Sequence, residues 1–156
     1  MNYKRLLISL VLPQLAGLLG SFFTASSIPS WYTTIEKPFF TPPNWLFGPV
    51  WISLYILMGI SVYLIWQKAE KNKKAKKLVW LFWVHLIFNA TWSIVFFGLQ
   101  NIGLAFLNII IIWILILVLM WKFEKINKVS AWLLVPYMLW VSYATVLNLA
   151  IWFLNK

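Results

Sequence analysis

The chain has 156 residues, 63% of them hydrophobic and 19% aromatic but only 10% charged, with a mean hydropathy of +0.85 and a formal net charge of +10. So large an apolar fraction would aggregate in water, which excludes a soluble globular domain and makes a lipid bilayer the expected solvent. There is no cysteine, so disulfides and thiolate chemistry are excluded as well.

A hydrocarbon core about 30 Å thick is crossed by roughly 20 helical residues. The apolar runs predict such spans over 6–26, 45–67, 78–98, 103–123 and 131–153. Strands of a membrane barrel would alternate apolar and polar residues, whereas Ile109 to Leu119 is continuously apolar. The expected fold is therefore an all-α integral membrane protein. It is a single domain over 1–156, a five transmembrane helix bundle with a Pro/Trp-rich loop between helices 1 and 2.

The first span opens with Lys4-Arg5 and the run Leu6 to Leu19, like the first two regions of a signal peptide. The run continues through Phe22-Phe23 without a small-x-small cleavage site, so a retained span is expected, bent at Pro13 where a backbone donor is lost. Ala16-x-x-x-Gly20 permits close contact with another helix.

The stretch from Ser30 to Trp51 holds four of the seven prolines, Pro38, Pro42, Pro43 and Pro49, together with Trp31, Trp45 and Trp51. Lys37-Pro38 and Thr41-Pro42-Pro43 cannot continue a helix, which predicts a stiff non-helical crossing, a lid over a pocket between the spans.

All Lys and Arg except Lys37 and Lys156 fall before span one, between spans two and three, or between spans four and five. The positive-inside rule then puts the N-terminus inside and the Pro-rich loop and the C-terminus outside, in a multi-pass protein of the cell membrane. Lysines at span ends, with no soluble domain beside them, point to topology and anionic lipid and not to nucleic acid. Spans three and four are joined only by Gln100-Asn101-Ile102, so they pack as antiparallel neighbours. No internal repeat is apparent, which weighs against an inverted-repeat transporter.

Helical spacing gathers polar and aromatic residues into three stripes. Span three carries His85, Asn89, Trp92 and Phe96; span five carries Tyr137, Trp140, Ala144 and Asn148; span two carries Gly48, Trp51, Tyr55 and Gly59. Together they can line one cavity. Trp66, Trp80, Trp121 and Trp152 lie near span ends and read as interfacial belt residues. The only carboxylates, Glu36, Glu70 and Glu124, also lie at span ends, so a paired general acid and base is not expected. His85 stands alone, so no metal centre is expected, and its reading is a buried histidine hydrogen-bonded within the bundle.

The chain resembles the translocator protein family, also called tryptophan-rich sensory protein (TspO) and formerly the peripheral-type benzodiazepine receptor. The resemblance is carried by W-Y-x-x-x-x-K-P from Trp31, P-P-N-W-x-x-G-P-V-W from Pro42 and L-Y-x-x-M-G from Leu54. It continues with N-x-x-W-x-x-x-F-F-G from Asn89 and P-Y-x-x-W-x-x-x-A-T-x-L-N from Pro136. It implies a five-helix protein, commonly a homodimer, that binds protoporphyrin IX, haem and drug-like isoquinoline carboxamides or benzodiazepines; sterol binding is also associated with the family. No cofactor is required, the tetrapyrrole being the ligand. By matched position the pocket would be lined by Tyr32, Pro42, Pro43 and Trp51, by Asn89, Trp92 and Phe96, and by Trp140, Ala144 and Leu147.

Two departures stand out. Leu104 and Asn108 replace a tryptophan and an acidic residue often found in span four, so that wall should be less polar and less aromatic. The L/V, Tyr, K/R sterol pattern that some members carry at the end of span five lacks its tyrosine, since Leu147 to Lys156 contains none. In a porphyrin complex Lys37 is the cation expected to meet the propionates. Trp51 and Trp140 are the candidate catalytic residues, as indoles that exchange an electron with a photoexcited porphyrin and lead to its light- and oxygen-dependent breakdown. The leading reading is thus a membrane receptor or sensor of porphyrins and other lipophilic small molecules. The alternative is a transporter of porphyrin, sterol or another lipophile; a third reading is a scaffold.

Overall fold

In the computed structural model, which describes residues 2–156, every regular element is a helix. The order is α1 (Tyr3–Ser27), a single turn α2 (Trp31–Thr34), α3 (Asn44–Trp66), α4 (Lys73–Ser93) running into a π-helical turn (Ile94–Gly98), α5 (Ile102–Glu124), α6 (Lys128–Trp132) and α7 (Val135–Leu154). Five of these stretches are long and apolar enough to cross a membrane, the last being α6 and α7 taken together. The protein is a multi-pass membrane bundle.

Asparagine begins most of the spans. Side-chain oxygens of Asn2, Asn72, Asn101 and Asn127 accept backbone N–H groups in the first turns of α1, α4, α5 and α6, which satisfies donors that a helix start leaves free. Gln100 reverses the chain between α4 and α5 with a φ of 54°, a left-handed conformation that costs little only in a tight turn. As expected, α4 and α5 are packed neighbours.

Two local expectations need correction, and a third, the close helix contact at Ala16 and Gly20, is met inside the bundle. The crossing after α1 is not wholly extended, because Trp31–Thr34 forms a helical turn before the prolines begin. The last span is interrupted at Leu133–Leu134, since Pro136 has no N–H to return to the turn before it. Ala16 and Gly20 do not form an outward face. Gly20 is buried, and a Cβ there would lie 3.1 Å from Ser93 Oγ, so the small residues serve the α1–α4 contact inside the bundle. The helix itself runs on through Pro13.

The spans close into a ring in which α1 touches α3 and α4, α4 touches α5, α5 touches α6 and α7, and α3 touches α6 and α7. The two ends of this ring differ. Toward the lysine-rich turns it is packed solid with Met58, Val62, Ile65, Phe82, Ile116 and Phe123, all fully buried. There the Oγ atoms of Ser61 and Ser130 each donate to the other's backbone carbonyl at 2.7 Å, which fastens α6 to α3 without an unpaired polar group. Toward the Pro-rich loop the ring holds a cavity.

Candidate functional site

The cavity has a volume of about 350 Å³ and is enclosed by all five spans and the loop, with Ile109 and Ile112 of α5 at its back. From α3 come Phe47, Gly48, Trp51 and Tyr55; from α4 and its π-turn come Asn89, Trp92, Phe96 and Phe97. Trp140, Ala144, Leu147 and Asn148 line it from α7, and Tyr32 closes it from α2. All three stripes predicted from helical spacing therefore reach one space.

Of the three stripes, Gly59, His85 and Tyr137 lie outside the lining, and of the pocket residues that the resemblance implies, Pro42 and Pro43 are the ones it leaves out. They lead into α3, with Pro43 at its N-cap, and the cavity wall is taken over by Asn44, Phe47 and Gly48 one turn later. Leu104 and Asn108 are also outside it. Leu104 is 47% exposed on the bundle surface, and Asn108 Nδ2 donates to Thr91 Oγ1 at 3.1 Å across the α4–α5 contact. The change from the family's usual pair at these positions thus falls outside the cavity wall.

A wall that sequence reasoning missed is α1. Gln14, Ala16, Gly17, Gly20, Ser21 and Thr24 face the cavity, and none carries a residue type that announces a site. Their smallness is the signal, since a Cβ on Gly17 would fall 2.3 Å from the Tyr55 ring. Leu18 and Ile52, on the rim between α1 and α3, are 64% and 55% exposed, so the cavity meets the lipid-facing surface there. Gln14 Nε2 donates to the Ile52 carbonyl at 3.2 Å and bridges the two helices at that rim.

The π-turn explains how two consecutive phenylalanines join one wall. Leu99 N–H reaches the Ile94 carbonyl at 2.8 Å, five residues back, which widens the turn so that Phe96 and Phe97 both point inward. Trp92 stacks on Phe96 with ring centroids 5.1 Å apart, and Tyr32 meets Phe97 edge-on at 5.5 Å. On the opposite side Trp51 stacks on Tyr55 at 5.3 Å, and Phe47 meets Trp140 edge-on at 6.0 Å. The space offers aromatic faces and edges on several sides.

Its polar content is small and orderly. The Tyr55 hydroxyl donates to Asn89 Oδ1 at 2.8 Å, Asn89 Nδ2 donates to the Tyr137 oxygen at 2.9 Å, and Tyr137 is joined to His85 Nε2 at 2.9 Å. In the contact between Tyr137 and His85 Nε2 the donor is set by the histidine tautomer, since the phenol oxygen, already accepting from Asn89, can either donate its proton or accept a second one. His85 is buried behind Tyr137 and does not line the cavity. Asn148 Oδ1 accepts from Trp92 Nε1 at 3.1 Å, while its amide donates to the Ile102 carbonyl at 3.0 Å. Polar groups left for a guest include one Asn89 N–H, the Tyr55 oxygen and the side chains of Asn44 and Ser93, while the indole N–H of Trp140 is buried without a partner.

No Lys, Arg, Asp or Glu lines the cavity. Lys37, expected to meet an acidic ligand, is turned onto its own loop. Its Nζ donates to the carbonyls of Tyr32 at 2.7 Å and Ile35 at 2.8 Å and lies 4.9 Å from the Tyr32 ring centroid. The loop is held down at two further points. Asn155 accepts from Glu36 N–H and donates to the Glu36 carbonyl, both at 2.9 Å, and the Tyr143 hydroxyl donates to the Phe40 carbonyl. Burial, with the neighbouring Tyr143 as a lesser cause, pushes the Tyr32 phenol above its ordinary range, so it stays neutral.

Comparison with known proteins agrees with this architecture. Residues 9–153 match the model of the TspO/MBR family. The chain is 43% identical over 155 residues to the tryptophan-rich protein TspO of Archaeoglobus fulgidus, covering 99% of both chains. It is 31% identical to the translocator protein of Homo sapiens, covering 90% of this chain and 83% of that one. It is 32% identical to the tryptophan-rich sensory protein of Cereibacter sphaeroides, covering 76% and 72%.

Proposed function

Since the chain belongs to the TspO/MBR family of membrane proteins, we propose that it is a receptor or sensor for flat, lipophilic, aromatic molecules. Porphyrins such as protoporphyrin IX and haem come first, and isoquinoline carboxamide or benzodiazepine drugs occupy the same space. The observation that carries this reading is a cavity walled by Tyr32, Trp51, Trp92, Phe96 and Trp140 that contains no charged side chain. Ring stacking and edge contacts hold a planar guest there, and Asn89 and Tyr55 fix its polar edge. Porphyrin propionates, which are costly to bury unpaired, stay at the mouth between α1 and α3 or beneath the loop. The N-terminus and the lysine-rich turns lie on the inner side of the cell membrane, and the cavity faces outward.

A second reading rests on Trp51 and Trp140, which line one cavity from different spans. An excited porphyrin takes an electron from one of these indoles and passes it to dioxygen; the indole radical then regains an electron from the porphyrin, and the porphyrin radical cation combines with the superoxide formed, so that dioxygen is the net oxidant of the breakdown. Transport is less well supported, because the packed end of the bundle lies between the cavity and the lysine-rich side.

The test is quenching of tryptophan fluorescence by protoporphyrin IX in detergent, in the dark and then under light, in wild type and in Trp51→Phe, Trp140→Phe protein. Saturable quenching in the dark that weakens in the variant supports the pocket, and pigment loss under light only in wild type adds the photochemistry. Absence of saturable quenching overturns the porphyrin assignment, and flux into sealed proteoliposomes then tests transport.

A further inference from the structure

At the lysine-rich end, the turn between α3 and α4 and the turn between α5 and α6 border a polar hollow of about 520 Å³. Lys68, Glu70, Lys71 and Asn72 line it from the first turn, Lys125 and Ile126 from the second. Its carboxylate and its asparagine are engaged, and the Gln67 amide donates to the Tyr63 hydroxyl. Glu70 is paired with Arg5 at 2.6 Å, and Asn72 Oδ1 accepts from the N–H groups of Lys74 and Ala75. The cations are not, since Arg5–Glu70 is the one ion pair among the described residues. Ammonium groups gathered without a counter-charge repel one another, and an anion placed among them relieves that repulsion.

A second hollow, also about 520 Å³, lies alongside and is apolar. It runs between α5 and the broken last span, with Leu117, Val118 and Trp121 on one side and Ala131, Trp132 and Val135 on the other. Trp121 and Trp132 are 58% and 68% exposed, as other aromatics on the lipid-facing surface are, and their faces are open to an acyl chain. Lys125 joins the two hollows, because it lines the first while its Nζ stands 3.7 Å from the centroid of Trp121, which lines the second. Glu124, the one carboxylate on the groove, makes the groove itself unfavourable for an anion and so leaves the negative group to the lysines.

We propose that this is a binding site for one anionic glycerophospholipid, distinct from the aromatic cavity at the opposite end. The phosphate lies among Lys68, Lys71 and Lys125, the glycerol sits at the level of the two indoles, and an acyl chain lies in the groove beside Leu117 and Val135. Tryptophan prefers this depth of a bilayer, and lysine near its surface attracts anionic headgroups. The lipid joins the two turns through its phosphate.

Native mass spectrometry of the purified protein in detergent, with phosphatidylglycerol or phosphatidylcholine added, tests the site. Wild type is expected to retain phosphatidylglycerol preferentially, and each lysine near an anionic group is worth about fivefold. A Lys68→Ser, Lys71→Ser, Lys125→Ser variant loses that preference. A Lys73→Ser, Lys74→Ser, Lys76→Ser variant removes the same charge from exposed positions outside the hollow and keeps it. Equal loss in both variants would show a diffuse field in place of a site and overturn the proposal, as would equal retention of the two lipids by wild type. Displacement of the lipid by an equal concentration of inorganic phosphate would overturn the lipid assignment by showing that the anion alone is held.

Discussion

Gly59 of α3 lies directly against the backbone carbonyl of Ser9 on α1, so close that a Cβ at Gly59 would stand 2.5 Å from that oxygen. The oxygen is free because Pro13, four residues on, has no N–H to give it. A proline on one helix and a glycine on the next thus form one contact, in which the bare Cα covers a carbonyl that the helix cannot satisfy.

Gly59→Ala should therefore destabilise the bundle. The atom it meets is backbone and cannot rotate away, and overpacking of this kind costs about 1–3 kcal/mol. Gly48, where an added Cβ meets nothing within 4 Å, is the counterpart. Gly48→Ala should be neutral or stabilising by up to about 1 kcal/mol through helix propensity. Thermal unfolding in detergent measures both, and a lower midpoint for Gly48→Ala than for Gly59→Ala would contradict the contact.

Tyr137→Phe removes the hydroxyl that links Asn89 to His85 in the buried interior. It strands an amide N–H and a ring nitrogen, at about 1–3 kcal/mol for each unsatisfied group. The Asn89 amide, no longer held, should also bind a guest less well. Expected are a lower unfolding midpoint and weaker porphyrin quenching together; unchanged values for both would show that the chain from Tyr55 to His85 carries no energy.

Lys37→Met should weaken an acidic porphyrin and its neutral dimethyl ester by the same factor, because the ammonium braces the loop backbone. Side-by-side quenching titrations decide the matter. A loss confined to the acidic compound would mean that Lys37 turns to meet the propionates.

Asn155→Ala removes both hydrogen bonds that hold the loop at Glu36. With each worth about 0.5–1.5 kcal/mol net, guest dissociation followed by stopped flow should speed up by roughly fivefold to 150-fold. A rate equal to wild type would show that the guest leaves elsewhere, and the rim between α1 and α3 is then the next place to test, through Gln14→Leu.

The parts of this molecule legible in the sequence are those that depend on which residues repeat and at what interval. The five spans follow from apolar run length, and the convergence of Trp51, Asn89, Trp92, Trp140 and Ala144 on one space follows from helical periodicity. What could not be read is governed by shape. Gly17 and Gly20 look like any small residues of a membrane helix until Tyr55 and Ser93 are seen against them. The widened turn at Ile94–Gly98 contains no proline or internal glycine to announce it, so Phe97 was missed beside Phe96. Charge alone marks Lys37 as a cation for an acidic guest, whereas the loop carbonyls of Tyr32 and Ile35 that it also reaches depend on how the loop folds. The break at Leu133–Leu134 is marked in the sequence by Pro136 alone, and the apolar run that continues through it hides it.

The uneven filling of the bundle gives its chamber a single entrance end. A molecule seated between Trp51 and Trp140 has Met58, Phe82 and Phe123 stacked beneath it. Clearing a path through them would mean undoing the most tightly filled part of the protein. On the proposed reading the chamber is a cul-de-sac: a guest is expected to depart into the same half of the membrane, or the same aqueous side, from which it arrived, and what changes during its stay is the guest itself or the loop that covers it.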